Sequence, residues 1–111
     1  MDIEARKLFG QILRDVREGS GLTLEELGRK LRKSKGYLSG IENAKCSPPI
    51  PAITARICKV LRMKPDGLLI LGEVAKAPDE VLRLPVYQGF ARSAKCRAHW
   101  CAGQVVTGAG E

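Results

Sequence analysis

The sequence predicts an all-α fold: a compact bundle of about five short helices carrying a C-terminal extension. Three observations point there. Apolar residues recur at spacings of three and four through residues 4–71, the period of a helix with one buried face. Capping residues, prolines and glycines punctuate that pattern at short intervals. At 111 residues the chain is long enough for one hydrophobic core but not for two substantial ones.

The first helix spans residues 4–18, with Leu8, Phe9, Ile12, Leu13 and Val16 on one face, and Gly19-Ser20-Gly21 stops it. Thr23 followed by Glu26 is a capping box, which starts a second helix at Leu24. Leu24, Leu27 and Leu31 share its inner face, while Glu25, Arg29 and Lys30 point away. Ser34 is the next N-cap, opening a helix over residues 35–43 with Leu38 and Ile41 inward and Lys35, Ser39 and Gly40 outward. Ser47-Pro48-Pro49 reads as an extended connector, and Pro51 suits the first turn of a fourth helix running to Arg62 with Ile53, Ile57, Val60 and Leu61 as its core face. Pro65 opens a fifth, containing Leu68, Leu69 and Leu71 and closing near Gly72. A short sixth is compatible with Pro78, Asp79 and Glu80 ahead of Val81, Leu82 and Leu84. From Pro85 the composition turns to small residues, glycine and scattered charge, the pattern expected of a loosely ordered tail. The expected division is therefore a domain over residues 1–76 and an extension over 77–111.

The second and third helices are the informative pair. They are joined by only a few residues, and cationic and polar side chains gather at the start of the third, as in a helix-turn-helix whose second helix enters the major groove. The run LTLEELGRKLRKSKGYLSGIEN resembles the phage-repressor and Cro-type helix-turn-helix family, also called the xenobiotic-response-element family. Leu27, Ser34, Tyr37, Leu38, Ser39, Ile41, Glu42 and Pro48 match its pattern, and the resemblance extends over residues 8–72. Gly28 departs from the usual Ala, Arg32 and Lys33 from the usual Gly and Val, and Ala44 from a Gly; a positive φ at Arg32 or Ala44 would be costly.

The resemblance assigns base-edge contacts to the exposed start of the third helix, here Ser34, Lys35, Gly36, Ser39 and Gly40. Lys35 can donate to guanine O6 or N7 and Ser39 to several bases, whereas the two glycines supply only close approach. Thr23, Tyr37, Asn43 and Lys45 fall at positions that often touch phosphates in this family, although Tyr37 is equally readable as a packing residue. Arg29, Lys30, Arg32, Lys33 and Lys35 lie within seven residues, a cluster suited to phosphate attraction. Arg17 and Glu42 match a family ion pair that ties the first helix to the end of the third.

A net charge of +7 favours a polyanionic partner, nucleic acid before an anionic membrane. No apolar run approaches the ~20 residues needed to span a bilayer, and the N-terminal residues lack a signal-peptide pattern. A cytoplasmic location with reduced cysteines is expected. Cys96, His99 and Cys101, with Cys46 or Cys58, offer soft ligands, but the paired spacings of common zinc modules are absent, so no metal or cofactor is assigned. The chain shows no glycine-rich phosphate loop and no paired catalytic carboxylates, which argues against an enzyme.

These readings converge on a sequence-specific regulator of transcription that binds double-stranded DNA, repression being the expected sense, as a homodimer on a palindromic operator. Leu68 to Leu71, Val74, Val81, Leu82, Leu84 and Val86 exceed what five short helices need, and some are assigned to the dimer interface. Two alternatives stay open: an antitoxin whose extension orders on a toxin partner, and a protein-interaction module that retains the fold without DNA readout.

Overall fold

The computed structural model describes residues 1–103. Its elements are α1 (Ile3–Gly19), α2 (Leu24–Leu31), α3 (Lys35–Glu42), α4 (Pro51–Leu61), α5 (Pro65–Ala75), α6 (Asp79–Leu82) and α7 (Pro85–Gly103). The described residues form no strand. The all-α class, the expected five helices and the short sixth are present, with a seventh behind them.

The start signals act as the sequence suggests. Thr23 Oγ1 accepts from the Glu26 amide at 3.0 Å while Glu26 Oε1 accepts from the Thr23 amide at 2.9 Å, closing the capping box. Those bonds hold the Glu26 carboxyl below the usual carboxylate range. Ser34 Oγ accepts from the Tyr37 amide at 3.0 Å, and prolines occupy the first turns of α4 and α5. After α1 the chain reverses at Gly21, whose φ of 75° is open to glycine at little cost.

One core joins these helices. Phe9 and Leu13 of α1, Leu27 and Leu31 of α2, Leu38 and Ile41 of α3, and Ile57 and Leu61 of α4 are fully buried with Leu68 and Leu71 of α5. Cys58 is buried among them, and removal from water pushes its thiol up to about 12. Gly10 lets α1 approach the end of α3, since a Cβ there would lie 2.5 Å from the carbonyl oxygens of Ile41 and Glu42.

Three expectations are corrected. Helix α5 does not close near Gly72 but runs to Ala75, because Gly72 is buried against the Phe9 ring rather than placed in a turn. The loosely ordered tail is, as far as residue 103, a 19-residue helix, while residues 104–111 lie outside the described residues. Helix α7 packs along α5 through Tyr87, Ala91, Ala94, Ala98 and Cys101, all buried, at helical spacings of four and three. The small side chains allow close contact. A Cβ on Gly67 would sit 2.8 Å from Ala98 Cα. Tyr87 adds a buried hydrogen bond, its hydroxyl donating to the Val74 carbonyl at 2.9 Å. Lys95 reaches α1, with Nζ 2.7 Å from Glu4 Oε1. The core is thus continuous across the expected division at residues 76 and 77.

The third correction follows from the second. Leu68, Leu71 and Val74 are covered within the chain, and Leu69, Ile70, Val81 and Leu82 are half-buried, so most of the apparent apolar surplus has an intramolecular use. The large apolar side chains left exposed in this region are Leu84, Val86, Phe90 and Trp100.

Candidate nucleic-acid interface

Helix α2 ends at Arg32, in a left-handed conformation with φ 58°, and α3 is capped by Ser34, so Arg32, Lys33 and Ser34 alone separate the two helices. A Cβ on Gly28 would fall 2.6 Å from the Lys33 carbonyl oxygen, which explains why the tight turn accommodates Gly where Ala is common in the resembled pattern. Arg56 supports the turn from α4, its Nη2 donating to the Leu31 carbonyl at 3.0 Å.

Arg32, Lys35 and Lys45 are exposed. Lys33 is half-buried, its ammonium 5.5 Å from the centroid of the Tyr37 ring. Lys35 Nζ stands 3.9 Å from Glu25 Oε1, a loose ion pair between exposed groups. Ser34 and Gly36 are exposed, and nothing lies within 4 Å of a Cβ built on Gly36. Thr23 is exposed with its oxygen engaged in the cap. Tyr37 is half-buried against the core, and that burial raises the pKa of its phenol.

Ser39 is half-buried and Asn43 exposed, the Asn43 amide donating to both the Ser39 hydroxyl and the Ser39 carbonyl. Gly40 does not share their face. It is buried, and a Cβ there would meet Cys46 Sγ at 2.7 Å, because the chain after α3 folds back to place the Lys45 amide 2.8 Å from the Gly40 carbonyl. Arg32, Lys33 and Ser34 therefore form the turn, Lys35, Gly36, Tyr37, Ser39 and Asn43 lie on α3 or its C-cap, Thr23 caps the other end of α2, Lys45 follows α3, and Gly40 is a packing position.

The family ion pair is formed. Arg17 Nε donates to Glu42 Oε2 at 2.7 Å and Nη2 to Oε1 at 3.1 Å, with Nη1 donating to the Leu22 carbonyl at 2.7 Å. Both side chains are nearly withdrawn from solvent, and the hydrogen bonds to Glu42 raise the Arg17 pKa further above its ordinary value. A buried, bidentate pair fixes the direction of α3 relative to α1. Sequence reading missed two further arginines here. Arg14 approaches Glu42 at 3.6 Å and Asn43 at 3.4 Å, and Arg6 donates to the Cys46 carbonyl at 3.0 Å. Arg14 and Arg17, three apart on α1, were the available signal.

Cys101 is buried against α5 while Cys96 and His99 are exposed, so α7 does not converge them. The described residues contain no cluster of three or more His, Cys, Asp or Glu side chains placed to hold a metal ion.

Residues 8–69, more than half of the chain, match the helix-turn-helix domain family. The chain belongs to that family. It is 37% identical over 65 residues to the transcriptional regulator ClgR of Mycobacterium tuberculosis, covering 59% of this chain and 57% of that protein. It is 32% identical over 74 residues to the uncharacterized HTH-type transcriptional regulator RghRB of Bacillus subtilis, covering 66% and 53%. The chain thus spans little more than half the length of these relatives. The crystal structure of the clp gene regulator ClgR from C. glutamicum superposes with a TM-score of 0.53 at 32% identity, covering 66% of this chain and 94% of that one. Helix-turn-helix membership accounts for the short α2–α3 pair.

Proposed function

We propose that this protein is a transcriptional regulator of the phage-repressor and Cro type that binds double-stranded DNA in a sequence-specific manner. The observation that carries the reading is the placement of exposed Arg32, Lys35 and Lys45 around an α3 whose polar face is open and whose direction is fixed by a buried ion pair. The relatives are themselves transcriptional regulators, which supports the same class. Repression follows most simply from occupancy of an operator, and a cytoplasmic location agrees with the absence of any described helix long and apolar enough to cross a membrane. A homodimer on a palindromic site is part of the proposal, with recognition helices one helical turn apart, about 34 Å. The toxin-partner alternative loses its motivation over residues 85–103, because α7 is folded on α5 within the chain.

The test is binding to duplexes selected from a random pool, measured over a range of salt. Arg32→Ala and Lys45→Ala should each weaken binding on every sequence and lower the salt slope by about one unit. Unchanged slopes in both would remove Arg32 and Lys45 from the interface, and failure to enrich any duplex would overturn the reading.

A further inference from the structure

The polar side chains at the outer end of α3 form a directional chain. Glu42, its side chain 1% exposed, has Arg14 Nε 3.6 Å from its Oε1. The same guanidinium donates through Nη2 to Asn43 Oδ1 at 3.4 Å. Asn43 in turn donates through Nδ2 to the Ser39 carbonyl at 2.9 Å and to Ser39 Oγ at 3.2 Å. A guanidinium only donates and a carbonyl oxygen only accepts, so the Asn43 amide has one chemically consistent orientation. Turned over, it would set its NH2 against Arg14 and its oxygen against a carbonyl.

Ser39 Oγ therefore already gives one of its two lone pairs to Asn43, and among the described residues its hydrogen bonds include no acceptor for its own proton. That proton is available to a partner outside the chain. Lys35, one turn earlier on the same helix, only donates, and Gly36 beside it contributes no group.

We propose that α3 presents a donor-rich reading face, that Arg14 and Asn43 are positioning residues which bias the Ser39 hydroxyl toward donating, and that the DNA half-site carries guanine where Lys35 and Ser39 meet the major groove. The inference rests on the DNA-binding reading and narrows it to a class of site. Guanine shows two adjacent acceptors in the major groove, N7 and O6, whereas thymine shows one acceptor beside its methyl group, cytosine a donor and adenine one of each. Two donors a helical turn apart match an acceptor-rich edge. Lys35 leaves cytosine N4 facing a group that cannot accept.

Duplexes are selected from a random pool with wild type, Ser39→Ala, Arg14→Ala and Arg14→Lys, with circular dichroism confirming the fold. Wild type should enrich guanine at a position whose preference vanishes in Ser39→Ala, and 7-deazaguanine there should weaken wild-type binding about tenfold. Arg14→Ala should lose that discrimination while keeping most of its affinity for random duplex, and Arg14→Lys, whose ammonium can still donate to Asn43, should retain it. Asn43→Ala supplies the same readout if Arg14→Ala does not fold. An enriched A·T pair at the Ser39-dependent position, indifference to 7-deazaguanine, or undiminished discrimination in folded Arg14→Ala and Asn43→Ala would overturn this inference and leave DNA binding standing. A wild type that enriches nothing would overturn both.

Discussion

Arg32, Ala44 and Arg62 each carry a Cβ into the left-handed region, with φ of 58°, 59° and 56°. A left-handed conformation costs a residue of this kind roughly 1–2 kcal/mol, which glycine avoids. Ala44→Gly should accordingly raise stability by about 1 kcal/mol, read by denaturant unfolding. Arg32→Gly should gain stability by the same route and lose DNA affinity, with a salt slope lower by about one unit. A loss of stability in both variants would show that strain at these positions is negligible. The residues legible from sequence were those whose partners are close along the chain or fixed by the family pattern: Thr23 with Glu26, Ser34 with Tyr37, and Arg17 with Glu42. Gly40 was misplaced because its burial depends on the backbone reversal through Cys46, which helical periodicity over residues 35–43 does not contain. Arg14 was missed because Asn43 lies 29 residues away.

Among the elements, α7 departs furthest from sequence expectation, and the reason is chemical. Tyr87, Ala91, Ala94, Ala98 and Cys101 repeat with helical spacing, but three of the five are alanines, whose weak hydrophobic signal resembles a small-residue linker. The excess of leucines in α5 was legible, and it did require a cover; α7 supplies much of it, together with α1 and α4. Leaving Leu68, Leu71 and Val74 bare would forfeit roughly 1.5–3 kcal/mol each, a large share of the 5–15 kcal/mol that stabilises a typical domain. Docked α7 makes a measurable prediction through the cysteines. Cys46 and Cys96 are exposed, whereas Cys58 and Cys101 are buried. In the native protein Cys46 and Cys96 should react rapidly with a thiol reagent, Cys58 and Cys101 slowly, and all four rapidly in denaturant. Rapid native labelling of Cys101, mapped by mass spectrometry, would mean that α7 is not packed on α5. Enlarging Gly67 to Val should produce that labelling, since a Cβ there already lies within 2.8 Å of the α7 backbone.

At the scale of the whole molecule, the proposed homodimer needs an apolar surface, and the folding of α7 onto α5 changes which residues can supply it. Leu71 and Val74 are consumed by the core, whereas Val86, Phe90 and Trp100 remain 80%, 55% and 56% exposed on α7. Their spacings of four and ten residues place them along one stripe beside the buried one, with Phe90 bordering the half-buried Ile70. A two-fold pairing of α7 stripes would present the same patch from each copy, as an isologous interface requires. Phe90→Asp should then yield a folded monomer, because its cost falls on association, whereas Leu71→Asp should unfold the domain by burying a charge without a partner. Light scattering reports the mass and circular dichroism the fold. Operator binding by Phe90→Asp should drop at least tenfold, since two half-sites are no longer held by one particle, while its affinity for a single half-site should stay close to wild type. A Phe90→Asp variant that remains dimeric would move the interface away from this stripe, and a monomeric wild type on the full operator would sink the dimer.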